Sequence, residues 1–242
     1  MNEQEGERRR KLLQLASAAV FLTIAAVAVL IVVNASKTEG GDPSDLQGAA
    51  QINRALAGLP QSEMSLGSPK APATLVEFGD LKCPACASFS EQVIPDVIDS
   101  KVGGGTARIE FRNFTIIDDQ SGPAGAAALA AGEQGRGWNF LEIFYRNQGL
   151  ETSDYADAEF LTAVARAAGV TDLDRWQGDR SSPRLLGEVR RTTMEAPELG
   201  FTGTPSFAIE SRDGNLEPLG IVDSADDLEA AIDAAKTPAA AE

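Results

Sequence analysis

Short runs of apolar residues alternate with segments of helical spacing in the first half of the chain. Thr74–Phe78 (TLVEF) is apolar and β-rich and predicts a buried strand. Ala107–Phe114 (ARIEFRNF) alternates apolar with polar side chains and predicts a second strand. Between them, Cys86–Val93 has helical spacing, and Pro84 suits the first turn of such a helix. Strand, helix and strand over about 40 residues predict a βαβ unit with parallel strands.

A long stretch without strand character follows, and glycines divide it into about five short predicted helices that interleaved aromatic residues indicate are packed together. Strand patterns return at Ser206–Glu210 and Leu216–Val222, on either side of an Asp-Gly turn. Asp226–Lys236 predicts a closing amphipathic helix with Ser224 as its N-cap. The fold class is therefore α/β with a helical block inserted before the final β-β-α. The helices of that block are predicted at Pro123–Ala131, Trp138–Asn147, Ala156–Ala168, Leu173–Gln177 and Pro183–Leu199.

An apolar run, Leu12–Val33, lies near the N-terminus and is long enough to cross ~30 Å of hydrocarbon as a helix. The basic cluster Arg8–Lys11 precedes it, so the positive-inside rule predicts a cytoplasmic N-terminus and an exported remainder. We interpret the run as an uncleaved single-pass signal anchor in the plasma membrane. The alternatives are a signal peptide cleaved near Val33–Ala35 and a buried core helix.

Composition removes several classes of chemistry. The chain has 21 Lys+Arg against 36 Asp+Glu, a net charge of −15, which argues against a nucleic-acid binder that relies on bulk positive charge. It has no histidine and two cysteines, which excludes histidine-dependent hydrolases and four-thiolate metal sites. Acidic pairs such as Asp118–Asp119 and Asp226–Asp227 lack the spacing of a calcium loop and are interpreted as solvated surface. We expect no metal ion.

The two cysteines form the motif Cys83-Pro84-Ala85-Cys86 at the predicted strand-to-helix junction. Cys83 would lie at a helix N-terminus, where free N–H groups and the helix dipole lower the pKa of a thiol. Lys82 adds positive charge there if its side chain points the same way. A structural disulfide is a weaker interpretation, because so short a loop contributes only roughly 2 kcal/mol. A half metal site would have to be completed by another molecule. The redox-active disulfide is the only cofactor that we expect.

Two further positions carry candidate chemistry. Glu77 interrupts the apolar run six residues before Cys83, where burial would raise its pKa and allow it to relay a proton to or from Cys86. The alternative is a solvated Glu77 on a wetter face of the strand. Thr204-Pro205 opens a late strand, a position that tolerates proline.

The strand Thr74–Lys82 (TLVEFGDLK), the CPAC motif at a helix start and Gly203–Phe207 (GTPSF) together resemble the thioredoxin fold. The helical block before the late proline resembles the DsbA-like branch, and particularly the membrane-anchored DsbA-like thiol:disulfide oxidoreductases of bacteria. The resemblance covers roughly Leu66–Lys236. It implies a domain over 66–236 with a helical insertion at about 118–200. Before it, 1–11 would be a cytoplasmic N-terminus, 12–33 the anchor and 34–65 a linker with a short helix, and 237–242 would be a flexible tail.

The resemblance also implies roles for individual residues. Cys83 would be the nucleophile and Cys86 the resolving thiol. Pro205 would follow a cis peptide bond and face the disulfide, and the backbone of Thr204 would pair with an extended substrate. Glu77 would be the buried proton-transfer group.

The implied function is an enzyme that introduces disulfides into exported cysteine-containing proteins and is reoxidised by a membrane quinone-linked thiol oxidase of the DsbB or VKOR type. Many strong oxidants of the family carry His or Tyr between the cysteines, whereas this chain has Pro84-Ala85, which favours a less oxidising potential. One alternative is a membrane-anchored reductase for apocytochrome or other exported disulfides, fed by a transmembrane reductant. The other is a non-catalytic thioredoxin-fold binding module.

Overall fold

The computed structural model describes residues 46–211 and 213–236. Within these residues a mixed sheet of six strands has the order β1-β2-β4-β3-β5-β6. The central strands β3 and β4 are parallel, and every other neighbouring pair is antiparallel. The strands are β1 Gln61–Ser62, β2 Ser65–Leu66, β3 Ala73–Gly79, β4 Ala107–Asn113, β5 Ser206–Glu210 and β6 Leu216–Pro218.

The predicted βαβ unit is confirmed. β3 is buried along nearly its whole length because β4 and β5 flank it and helices or loops cover its faces, which explains its continuous apolar run. β4 alternates buried with half-buried residues, as its sequence pattern predicts. Helix α2, Pro84–Gln92, connects them and ends at Val93, and α3, Ile94–Val97, restarts with Pro95 in its first turn. A π-helical segment, Ile98–Val102, leads to β4.

The predicted helical block is also confirmed, with ends within a few residues of those expected. Buried aromatic side chains from two of its helices, Trp138, Phe144 and Trp176, join the larger apolar core. The described helices are α1 Ala49–Ala55, α4 Ser121–Gly132, α5 Gly137–Arg146, α6 Ala158–Ala167, α7 Leu173–Asp179, α8 Pro183–Glu198 and α9 Ala225–Lys236.

The C-terminal elements agree with the prediction in kind, although the predicted last strand is too long. β6 ends at Pro218 rather than at Val222, and one further backbone hydrogen bond to β5 follows it, from the Leu219 N–H to the Phe207 carbonyl at 2.8 Å. In α9, Leu228 and Ile232 are fully buried, as expected. Ser224 caps this helix: its Oγ accepts the Asp227 N–H at 3.3 Å.

The hairpin of β1 and β2 was not predicted, since its strands are short and mostly polar. Its position depends on close packing with the helical block. A Cβ on Gly132 or on Gly137 would lie only 2.6 or 2.5 Å from the Glu63 carbonyl oxygen, so only glycine permits this approach. Glu63 itself adopts a left-handed φ of 53° at the turn. Such long-range contacts leave no local signal in the strands themselves.

The predicted anchor at 12–33 and the predicted tail at 237–242 lie outside the described residues. Among residues 46–211 and 213–236, no helix is both long enough and apolar enough to cross a membrane.

Candidate active site

The CPAC motif lies at the C-terminal end of β3, where the chain turns into α2. Cys83 is the N-cap residue of α2, and Pro84 occupies the first turn. β5 pairs antiparallel with β3 and begins directly after Pro205, so the Thr204–Pro205 segment meets the motif. The Thr204–Pro205 peptide bond is cis. The Cys83 thiol donates to the Thr204 carbonyl oxygen across 3.5 Å.

Cys83 has a strongly acidic thiol. Its pKa is lowered from 9.0 to about 6, chiefly by the hydrogen bond from the Cys86 thiol. Partial burial opposes this shift, while the Thr204 hydroxyl and the N–H groups of Ala85 and Cys86 reinforce it. The Thr204 hydroxyl oxygen is buried and makes no other hydrogen bond among the described residues, so its O–H is available to the Cys83 sulfur. The helix start and the proline loop therefore supply donors that favour the thiolate.

Cys86 behaves in the opposite way. Its side chain is fully buried, and burial, with the hydrogen bond that it gives to Cys83, raises its pKa well above 9.0. Both cysteines are free thiols in this structure. At neutral pH the reduced pair is therefore a Cys83 thiolate beside a Cys86 thiol.

Glu77 lies in the middle of the sheet, between Phe111 of β4 and Phe207 of β5. Its side chain is 1% exposed, so the alternative of a solvated carboxylate is wrong. Its pKa is raised from 4.5 to about 8, chiefly by burial and in smaller part by the negative charges of Glu142 and Cys83. Its Oε1 has no hydrogen-bond partner within the described part of the chain. The carboxyl is thus protonated at neutral pH, and it interacts electrostatically with both cysteines.

The comparisons with known proteins agree with this geometry. Residues 60–234 match the family described as Thioredoxin. Over 158 residues, the chain is 30% identical to the "Probable disulfide bond formation protein D" of Bacillus anthracis, which covers 64% of this chain and 71% of that protein. The chain is a DsbA-like thiol:disulfide oxidoreductase of the thioredoxin family.

Solved structures show the same fold. Oxidised BdbD from Bacillus subtilis superposes with a TM-score of 0.63 at 19% identity, over 74% of this chain and 96% of that one. A thioredoxin-like oxidoreductase from Silicibacter pomeroyi gives a TM-score of 0.59 at 30% identity, over 72% of this chain and 92% of that one. The thioredoxin fold with a mixed sheet and a helical insertion, expected from the CPAC and GTPSF motifs, is therefore confirmed.

The Lys82 side chain does not point toward the Cys83 thiol, although the two residues are adjacent in the sequence. Its side chain is fully buried, and its ammonium is paired with Asp118. It also donates to Gln120 Oε1 and the Ser153 carbonyl, each at 3.1 Å, and lies 5.3 Å from the centre of the Tyr155 ring. Hydrogen bonds, and not the Lys82 charge, lower the pKa of Cys83 in this DsbA-like site.

Two residues that the sequence reading missed hold the active-site turn of this DsbA-like chain. Asp80 is fully buried; its carboxylate accepts the N–H of Lys82 at 2.9 Å and those of Ile116 and Ile117 at 2.7 and 3.0 Å. The Gln148 side-chain amide donates to the carbonyls of Leu81, at 2.5 Å, and Cys83, at 3.1 Å. Asp80 could have been predicted, because an aspartate directly after a buried strand is a recognisable sequence signal. Gln148 could not, because it belongs to the helical insertion and is far from the turn in sequence.

No group of three or more His, Cys, Asp or Glu side chains in residues 46–211 and 213–236 is arranged to hold a metal ion. Of the acidic pair at 118–119, which was expected to be solvated surface, Asp118 forms an ion pair with Lys82.

Proposed function

We propose that this DsbA-like chain is an extracytoplasmic oxidase that introduces disulfides into exported proteins through the Cys83–Cys86 pair. The observation that carries the proposal is the contrast between the two thiols. A Cys83 pKa of about 6 stabilises the reduced pair at neutral pH, and a protein with a stabilised reduced form gives its disulfide away. The name of the Bacillus anthracis relative, a disulfide bond formation protein, supports the same direction.

The proposed reaction has two exchange steps. A substrate thiolate attacks Cys83; an S–S bond forms between substrate and Cys83 while the Cys83–Cys86 bond breaks, and the electron pair leaves on Cys86. Glu77 then transfers its proton to the Cys86 thiolate. A second substrate thiolate attacks the substrate sulfur that is bound to Cys83. The two substrate sulfurs form a disulfide, the bond to Cys83 breaks, and Cys83 leaves as a thiolate. The substrate is oxidised by two electrons, and the pair is left as a Cys83 thiolate and a Cys86 thiol.

We propose that the loop at Thr204 and Pro205 holds the substrate during this exchange. Thr204 lies directly before β5, and its carbonyl contacts the Cys83 thiol. An extended substrate that pairs with this backbone would bring its cysteine onto Cys83. Pro84 and Ala85 add no ionisable side chain between the cysteines, so the thiolate depends on the Cys86 thiol, the Thr204 side chain and backbone N–H groups as donors.

The surroundings of the enzyme are proposed from the same family. The substrates would be exported cysteine-containing proteins, and a membrane thiol oxidase linked to quinone, of the DsbB or VKOR type, would regenerate the disulfide. The apolar run at 12–33 would hold the catalytic domain at the outer face of the plasma membrane.

The equilibrium reduction potential of the full-length chain, titrated against glutathione and then dithiothreitol buffers, tests the direction of electron flow. Known thiol-disulfide proteins of this fold span ~−120 mV for the strong oxidant DsbA to ~−270 mV for thioredoxin. We expect a value above about −180 mV, less oxidising than ~−120 mV because no histidine lies between the cysteines. A value near −250 mV or below would make the chain a reductase supplied with electrons from across the membrane.

A further inference from the structure

A second buried carboxylate lies beside the redox site. Glu142 of α5 accepts a hydrogen bond at Oε2 from the Ser90 hydroxyl of α2, at 2.8 Å. The buried residues of α2 are Cys86 and Ser90, which are four positions apart. They share one face of the helix and lie ~6 Å apart along its axis. The Glu142 carboxylate therefore faces the helix surface that carries the Cys86 thiol.

The two carboxylates near Cys86 are incompletely satisfied. Oε1 of Glu142 and Oε1 of Glu77 are both buried without a hydrogen-bond partner within residues 46–211 and 213–236. A buried ionised carboxylate without full hydrogen bonding is unfavourable, and two like charges close together are more so. Structural packing alone would favour apolar residues at both positions. Two such carboxylates are therefore not expected to be ionised at the same time.

The surroundings decide which carboxylate holds the charge. The pKa of Glu142 is raised from 4.5 to about 7, chiefly by burial, and the Ser90 hydrogen bond and the positive charge of Arg146 limit this rise. Arg146 lies at the surface, with Nε 3.5 Å from Glu91 Oε1. Among the described residues, no donor or cation lowers the pKa of Glu77 in this way. The other titratable groups that interact with Glu77 are Cys83, Cys86 and Tyr145. Glu91 interacts with Glu142 and raises its pKa.

We propose that Glu142 is a positioning residue for the redox reaction, whose negative charge keeps Glu77 protonated at neutral pH so that a proton is ready for Cys86. The inference rests on the proton-transfer role proposed for Glu77. When the disulfide opens, the electron pair of the broken S–S bond leaves on Cys86, and the Glu77 proton moves to that sulfur. The new charge on Glu77 then repels the charge on Glu142 until a proton from solvent restores the pair.

The test is the pH profile of disulfide reduction in the oxidised full-length chain. The second-order rate constant for reduction by dithiothreitol is measured from pH 5 to 10 and divided at each pH by the thiolate fraction of the reagent. In the wild type we expect this corrected rate to fall as Glu77 ionises. In Glu142→Gln, which keeps an oxygen to accept from Ser90, the fall moves to lower pH by about one unit, because the repelling charge is gone.

The control variants separate charge from structure. Glu142→Asp retains the charge and is expected to retain the wild-type profile. Glu142→Leu removes the charge without a buried amide and gives the same shift as Glu142→Gln, which keeps the test open if one of the two fails to fold. Glu159→Gln removes an exposed carboxylate from α6 and leaves the profile unchanged.

Glu77→Gln distinguishes this inference from the proposed function. It is expected to give a slow, pH-independent corrected rate. If Glu77→Gln abolishes the pH dependence but the two neutral Glu142 variants superimpose on the wild type, Glu142 has no such role and Glu77 keeps its own. If Glu77→Gln retains the wild-type profile, the proposed role of Glu77 fails first, and this inference fails with it.

Discussion

At the scale of the residue, the redox chemistry depends on how differently two neighbouring thiols are solvated. Cys83 lies at the helix start with several donors around its sulfur, whereas Cys86 is fully buried one turn further along. The low pKa of the first and the raised pKa of the second follow from these positions. The residue types between the cysteines contribute little, since neither Pro84 nor Ala85 carries a polar side chain.

Thr204→Val is expected to raise the pKa of Cys83. The variant removes one of the donors that lower this pKa, and a hydrogen bond to a charged group contributes about 1 kcal/mol or more, which corresponds to a shift of about one pH unit. The measurement is a pH titration of thiolate absorbance in the reduced chain. Thr202→Val, at an exposed position two residues earlier, is the control. An unchanged Cys83 titration in Thr204→Val would show that the hydroxyl does not act on the sulfur.

Glu77→Gln is expected to stabilise the oxidised chain, in which neither cysteine titrates. Because the pKa of Glu77 is raised from 4.5 to about 8, the unfolded chain releases a proton in this window that the folded chain retains. As pH rises from 4.5 to about 8, the wild type therefore loses about 1.4 kcal/mol of stability per pH unit relative to the variant. Above about pH 8 the difference between the two proteins stays constant. Urea unfolding of both proteins from pH 4 to 9 measures the difference. A difference that does not change with pH would contradict the raised pKa.

At the scale of the element, the active-site turn is fixed by segments far away in sequence. Asp80 ties the end of β3 to the segment after β4, and Gln148 ties the turn to the end of α5. Lys82 crosses to Asp118 and to the Ser153 carbonyl of the segment before α6. The helical insertion is thus part of the support of the redox motif.

Asp118→Asn is expected to destabilise the chain by about 2 kcal/mol or more. Removing one partner leaves the Lys82 ammonium buried beside neutral acceptors, although Asp118 is a third exposed and the cost stays below the ~3 to 5 kcal/mol of a fully buried pair. Lys82→Met added to Asp118→Asn should recover much of this loss. Unfolding in urea for the two single variants and the double variant measures the coupling. Asp119→Asn, an exposed neighbour, is the control, and additive effects at Lys82 and Asp118 would refute the pairing.

At the scale of the whole molecule, redox potential and stability are linked. The reduced fold contains a thiolate that the unfolded chain does not hold until higher pH, so folding and reduction favour one another. Under the proposed function, this linkage would favour release of the disulfide to a substrate. This is the opposite of a structural disulfide, which stabilises the protein that contains it.

The stability of the reduced chain relative to the oxidised chain should depend on pH. Because the folded pKa of Cys83 is lowered from 9.0 to about 6, its contribution is complete above about pH 9 and is lost as pH falls through about 6. At pH 7 it amounts to about 1 kcal/mol in favour of the reduced form. Urea unfolding of both forms between pH 5 and 9 measures this difference. A reduced form whose relative stability falls as pH rises over this range would contradict the assignment.

Many elements of the fold and the position of the redox motif were predictable from local sequence. The continuous apolar run of β3, the alternation of β4, the Asp-Gly turn and the Ser224 cap each depend on residues close together in the chain. The same holds for the CPAC motif at a helix start. The β1–β2 hairpin was missed because it depends on glycines of α4 and α5 that admit its backbone. The direction of the Lys82 side chain was also open, because its partner Asp118 lies 36 positions away.

The order of the elements and the available chemistry follow from local sequence: two cysteines in one turn, no histidine and a carboxylate inside a buried strand. The pKa values and contacts of those groups depend on the folded chain. Folding buried Glu77 and Cys86, surrounded the Cys83 sulfur with donors from α2 and the Thr204 loop, turned Lys82 away and brought Glu142 to the helix face below Cys86. The physical reason is that helices, strands and turns follow from neighbouring residues, whereas desolvation and charge interactions, which set pKa values, depend on groups that only the fold brings together.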